Sequence, residues 1–153
     1  MKYRLIAVGK MREPYLAQAA ADFRTRLGRY EAYDEIEVAP GHGSDAARAV
    51  RDEGERILAA LALGDVLWLL DRGGSSLSST ELSARLSGLA DSGTRRIVFA
   101  IAGAYGASDA LASRADFTWS LSPLTFLHEW ARAIVLEQLY RAAKIARNEP
   151  YHH

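Results

Sequence analysis

The sequence contains no cysteine, so no disulfide framework can brace the chain and no thiolate can ligate a metal or attack a substrate. No apolar run approaches the roughly 18 residues needed to span a bilayer. Residues 1–14 have too short an apolar stretch for a signal peptide and no small-residue cleavage site, so a cytoplasmic location is the expectation. Neither G-x-G-x-x-G nor a P-loop occurs, which argues against ordinary dinucleotide or nucleoside-triphosphate binding. No metal site is read from the histidines. His42 stands in a loop without partners, and His152 and His153 are adjacent, which is poor chelating geometry. An excess of one charge is missing too, since 19 Lys/Arg balance 19 Asp/Glu, and neutrality by itself does not mark a generic nucleic-acid binder.

What is present reads as a globular protein. Of 153 residues, 49% are hydrophobic and 25% charged, an ordinary composition at the size of one compact domain, taken as residues 1–153. The charge is unevenly spread. Residues 1–30 hold seven Lys/Arg against two acids and residues 130–153 four against two, leaving eight against fifteen in residues 31–129. If the two ends fold together they form a basic face suited to contacting phosphates over a limited area; solvated helix faces are the plainer explanation of the same pattern.

Strand-like and helix-like periods alternate along the chain. Residues 3–9, 33–39, 65–70, 96–102 and 117–121 read as strands, the second alternating like a half-exposed or edge strand and the third and fourth continuously apolar like strands covered on both faces. Helices are expected over 14–30, from a cap at Ser44 or Asp45 to about Leu63, from a capping box at Ser78–Glu81 to about Ala90, in a short stretch from Ser108, and over about His128 to Arg147. Val50, Ile57, Leu58 and Leu61 are the expected buried stripe of the second helix, and Asp71–Ser76 reads as a loop. The fold class is therefore α/β, a mostly parallel sheet with helices on both faces.

Ligands of such sheets bind beyond the carboxyl ends of the strands. Three ends combine glycine or proline with small or apolar residues: Leu70–Gly74, Ala102–Gly106 and Leu121–Phe126. Glycine lets a ligand approach the backbone, and apolar neighbours can sandwich a flat base such as adenine; turn formation alone would also place glycines there. In the last helix Glu137, Arg141, Lys144 and Asn148 make one face polar, with Glu137 and Arg141 spaced for an i, i+4 ion pair. Its other positions are too apolar for a one-sided surface helix, so it is either buried in the domain or part of a dimer interface. Tyr151 and His152 follow as a stacking ring and a titratable group.

Several of these segments, in order and at matching spacing, resemble the large-subunit methyltransferase H family, bacterial 23S ribosomal RNA pseudouridine-N3 methyltransferases of the knotted SPOUT class. The similarity covers essentially the whole chain. It rests on Leu5–Lys10, on Asp52-Glu53-Gly54-Glu55, on Trp119–Ser122 through Thr125 and His128, on Glu137–Ala142, and on Pro150-Tyr151-His152. Ala102 stands where the family usually has glycine, Leu127 where it has proline, and His153 where it has Lys or Arg. The resemblance implies a C-terminal trefoil knot, which general topology rules would not suggest. It also implies a homodimer in which the tail of one protomer completes the site of the other.

By the same resemblance, S-adenosyl-L-methionine is the cofactor, bound by Leu70, Gly103, Leu121, Ser122, Pro123, Leu124, Thr125 and Phe126. The expected reaction is methylation of N3 of a pseudouridine in 23S rRNA within the ribosome, with no membrane partner. His152 is read as helping to remove or stabilise the N3 proton and Tyr151 as stacking on the base. Arg141, held by Glu137, is read as contacting phosphate or the ring carbonyls. The competing class is a non-catalytic ribosome-associated module that binds RNA or an adenosine-like ligand without methyl transfer.

Overall fold

The computed structural model describes residues 1–151. Five strands alternate with five helices: β1 Lys2–Val8, α1 Pro14–Leu27, β2 Ala32–Val38, α2 Ala46–Ala59, β3 Val66–Ser76, α3 Ser79–Asp91, β4 Arg96–Ile101, α4 Asp109–Arg114, β5 Phe117–Ser120 and α5 His128–Ala146. All pairings are parallel, in the order β2-β1-β4-β3-β5. Among the described residues no helix is long and apolar enough to cross a membrane.

The period of two along each strand sorts its side chains onto the two faces. Tyr3, Leu5 and Ala7 of β1 join Ile97, Phe99 and Ile101 of β4 on one face, covered by Ala20 and Leu27 of α1, Leu82 and Leu86 of α3, and Val135, Leu136 and Leu139 of α5. Ile6, Val8, Val98 and Ala100 point the other way, with Leu67 and Leu69, and meet Ile57 of α2 and Leu111 of α4. This two-sided burial explains the continuous apolar runs of β3 and β4. β2 pairs on one side only and stays partly exposed, as its alternation suggests.

Helix starts follow their caps. Asp45 accepts the N–H of Arg48, Ser108 that of Leu111, and Ser78 with Glu81 forms the full capping box. Two readings are corrected. α2 stops at Ala59, and its buried positions are Ala49, Glu53, Gly54 and Ile57 rather than the larger Val50, Leu58 and Leu61. The reason is close packing: a Cβ on Gly54 would lie 2.2 Å from Ser108 Oγ at the start of α4.

The second correction concerns Asp71–Ser76, which is not a loop but the continuation of β3. Leu70 and Ser75 both register with Trp119, so the strand shifts register around β5 and then resumes pairing through Ser76 and Ser120. Gly74 makes this possible, because a Cβ there would stand 2.5 Å from the carbonyl oxygen of Thr118. Glycine here serves a close strand crossing, whereas the sequence signal for it is the same as for a turn.

α5 is largely internal. Ala133, Val135, Leu136, Leu139, Ala142 and Ala143 are buried, in the layer it shares with α1 and α3. Its first turn is fixed by charge. The N–H groups of Arg12 and Glu13 both donate to Glu129 Oε1, and the fully buried Arg132 donates to the carbonyl of Gly9 and pairs with Glu37 at 3.3 Å.

Candidate active site

The C-terminal ends of β3, β4 and β5 open into one cavity of about 730 Å³. Leu70, Asp71 and Arg72 form one wall, Ile101 to Ala107 a second, and Trp119, Leu121, Ser122 and Leu124 to His128 a third. Its base is firm, because Trp119 is buried against Trp68 and Phe99, with ring centroids 5.9 and 6.2 Å away. The walls are mostly apolar, and Leu124 and Phe126 expose their side chains to the opening.

Of the eight residues expected to bind cofactor, Leu70, Gly103, Leu121, Ser122, Leu124, Thr125 and Phe126 line this cavity. Pro123 does not. It sits in the short turn that Ser122 Oγ closes by accepting the N–H of Leu124 at 3.1 Å, and it is exposed. Two departures from the family pattern, Ala102 and Leu127, are wall residues too, as is Tyr105.

Gly103 is glycine for lack of room. An added Cβ would come within 2.5 Å of Glu53 Oε2. Glu53 reaches this point from α2, buried, with Oε1 accepting the N–H of Gly41 at 3.0 Å and Oε2 without a hydrogen-bond partner among the described residues. The loop then turns at Gly106, whose positive φ of 88° lets its N–H return to the carbonyl of Gly103 at 3.1 Å.

The third wall is held from behind by the start of α5. Burial pushes the Glu129 carboxyl up, but the N–H donors of Arg12 and Glu13 outweigh it, and the group lies below the usual carboxylate range. It is thus an anion at neutral pH, clamping the β1–α1 connection to the helix that begins at His128. Sequence reasoning found neither Glu129 nor Arg132, nor Glu53 beyond its place in a motif. The one available signal was an acid or base on a helix face otherwise filled with apolar residues.

The residues expected to act on the substrate lie elsewhere in the chain. Arg141 Nε donates to Glu137 Oε1 at 2.8 Å, and Nη1 donates to the backbone carbonyl of Tyr151. Asn148, in the left-handed region at φ 55°, ends the helix, and the N–H of Glu149 returns to the Lys144 carbonyl at 3.0 Å. Tyr30 Oη then donates to Glu149 at 2.7 Å, fixing the tail against the α1–β2 connection. His152 and His153 lie outside the described residues. The cavity's lining on α5 ends at Ala131, and Glu137 and Arg141 are six and ten residues beyond it, about 9 and 15 Å along the helix. Within one chain the cavity and the tail cluster are therefore separate.

Comparison with known proteins follows the same segments. The family model described as "Predicted SPOUT methyltransferase" matches residues 1–152. The chain is similar to the ribosomal RNA large subunit methyltransferase H of Pelobacter propionicus, 44% identical over 100% of both chains. The protein of that name from Solidesulfovibrio magneticus is 44% identical over 98% of this chain and 97% of its own. That from Stenotrophomonas maltophilia is 41% identical over 99% of each.

Proposed function

Because the chain belongs to the SPOUT methyltransferase family, whose members carry the C-terminal trefoil knot, we propose that this methyltransferase uses S-adenosyl-L-methionine to methylate N3 of a pseudouridine in the 23S rRNA of the ribosome. The observation that carries the reading is the cavity built from three strand ends, in a chain 44% identical along its length to a ribosomal RNA methyltransferase. The walls fit the cofactor. Leu70, Ile101, Leu121 and Phe126 suit the faces of an adenine, and Gly103, whose Cβ side is filled by Glu53, lines the wall between them. When bound, the cofactor supplies a methyl group already activated on a sulfonium.

The remaining work falls to side chains that align the base and free its nitrogen. An imide N3 titrates roughly two units above neutrality, so deprotonation at pH 7 costs about 2.7 kcal/mol, and a positioned acceptor suffices. His152 takes or stabilises that proton and Tyr151 stacks on the ring. Arg141, oriented by Glu137, meets a phosphate or the ring carbonyls. These roles suit an unpaired loop nucleotide.

Within one chain Glu137, Arg141 and Tyr151 are absent from the cavity's lining, which supports a homodimer with composite sites as the working unit. Tyr15, Leu124, Leu127 and Trp130 are exposed, and Tyr15 and Trp130 are in ring contact at 6.0 Å. An apolar group of this kind at the cavity's edge suits the surface of a second copy.

Co-expression of Ser122→Trp, which obstructs the cavity, with His152→Ala, which disables the tail, tests both statements. Each variant alone is inactive on ribosomes. In an equal mixture half the dimers pair one chain of each kind, and each such dimer holds one intact site of two, so about a quarter of wild-type activity returns. A mixture as inactive as its components refutes the composite site. Calorimetric titration showing no binding of S-adenosylmethionine by the wild-type protein would instead favour the non-catalytic module.

A further inference from the structure

The cavity is apolar over most of its wall and charged at one place. Among its lining residues the permanently or ordinarily charged side chains are Asp71 and Arg72, side by side on β3, with the titratable His128 across from them. Asp71 is committed to its own strand, its Oδ1 accepting the N–H of Gly73 at 2.7 Å. Arg72 is not committed in this way. Its Nη1 donates to Thr125 Oγ1 at 3.3 Å, so the side chain reaches from the first wall to the third. Among the described residues that hydroxyl is its one polar partner, and no carboxylate pairs with it. A guanidinium carries five N–H donors in a planar fork, and most of them remain available.

The backbone from which Arg72 projects is fixed. Its carbonyl accepts from Ser120 Oγ, a buried hydroxyl, at 3.0 Å, and two residues later Gly74 packs against Thr118. A flexible cation is thus launched from a rigid point onto the rim of an apolar cavity. A ligand with an apolar base at one end and an amino-acid tail at the other meets this wall in one sense only, with its carboxylate at the arginine.

We propose that Arg72 binds the carboxylate of the methionyl part of S-adenosylmethionine and thereby sets the direction in which the cofactor lies. This rests on the cofactor reading above and adds a residue to it. S-adenosylmethionine and its decarboxylated analogue, which differ in that carboxylate alone, are the probes, titrated calorimetrically into wild type, Arg72→Gln and Arg72→Lys. A charge-assisted pair leads us to expect wild type to prefer the carboxylated ligand by about tenfold or more. In Arg72→Gln the preference falls to within about threefold while affinity for the analogue is unchanged, and Arg72→Lys retains part of it. Because the side chain is exposed and has one hydroxyl partner, the variants keep the wild-type melting temperature.

Undiminished preference in Arg72→Gln overturns the proposal, since the carboxylate is then held elsewhere. Equal loss of affinity for both ligands also overturns it. So does a variant that binds both ligands normally and loses only salt-dependent affinity for ribosomal RNA, which would make Arg72 a phosphate contact. If wild type binds neither ligand, the cofactor reading itself fails and this assignment falls with it, an outcome separate from the others.

Discussion

Replacing Gly74 with alanine probes the crossing of β3 and β5 that closes one wall of the cavity. The added Cβ would stand 2.5 Å from the Thr118 oxygen, 2.7 Å from its carbonyl carbon and 2.9 Å from its methyl group. Ordinary contact begins near 3.4 Å, so the two segments must part by about 0.9 Å. Two of the three obstructing atoms are backbone in a paired strand, which places the cost near the upper part of the usual overpacking range, about 2–3 kcal/mol. Alanine recovers about 0.4–1 kcal/mol by restricting the unfolded chain, leaving a net loss of about 2 kcal/mol. For a chain of this size that lowers the melting temperature by about 4–8 °C.

The internal control is Gly88→Ala. Gly88 lies inside α3 with nothing within 4 Å of an added Cβ, so the same substitution stabilises by about 0.5–1 kcal/mol. Thermal melts followed by circular dichroism, with urea midpoints at a common slope, compare the two. Gly74→Ala melting at or above wild type would refute the crossing as described.

Gly103→Ala is expected to cost about 1–2 kcal/mol in the wild-type background and almost nothing when Glu53 is also alanine, because the clash is with Glu53 Oε2; a double-mutant cycle by urea unfolding that shows simple additivity would contradict this. Acid should unfold the protein through its depressed carboxyls. Burial raises Asp65, but the two-pronged bond from Arg96 and the Ala62 N–H outweigh it, while Arg4 above all lowers Asp34. Groups shifted downward stabilise the fold above their unfolded values near pH 4 and lose that contribution as pH falls through the folded ones. Melting temperature should therefore vary little above about pH 5 and drop below about 4, less so in Asp34→Asn; an equal acid slope in that variant would remove Asp34 from the account. Trp130→Asp is expected to convert the proposed dimer to monomers in light scattering and to abolish ribosome methylation while calorimetry still detects cofactor; a wild type that is monomeric would refute the dimer, and a variant that stays dimeric would move the interface elsewhere.

The elements of this fold were legible because each carries a local signal: Pro14 at a first turn, the Ser78–Glu81 box, the unbroken apolar run of β4. The order of the strands was not, since β1 lies beside β4 through contacts some 90 residues apart that no local pattern records. Gly73 and Gly74 misled for a physical reason, as a glycine needed for close approach and one needed for a turn look alike in sequence. The strand-end rule anticipated the three walls of the cavity without any alignment. It could not reveal Glu53, Glu129 or Arg132, whose partners are set by tertiary folding, nor show that Arg72 reaches across to Thr125. The knot entered through resemblance alone.

The order in which the three walls occur along the chain bears on how the protein is made. Residues 70–72 and 101–107 leave the ribosome first, and the wall from Trp119 onward is translated last, followed at once by α5 and the tail. A chain abandoned between residues 107 and 117 has two sides of the cleft, no third side, and only α1 and α3 on the face that α5 also covers. It lacks the third wall of the proposed cofactor cavity and the tail that the proposed composite site requires. On the proposed site, competence therefore comes only with the last segment synthesised, and a truncated product is expected to be inert rather than partly active.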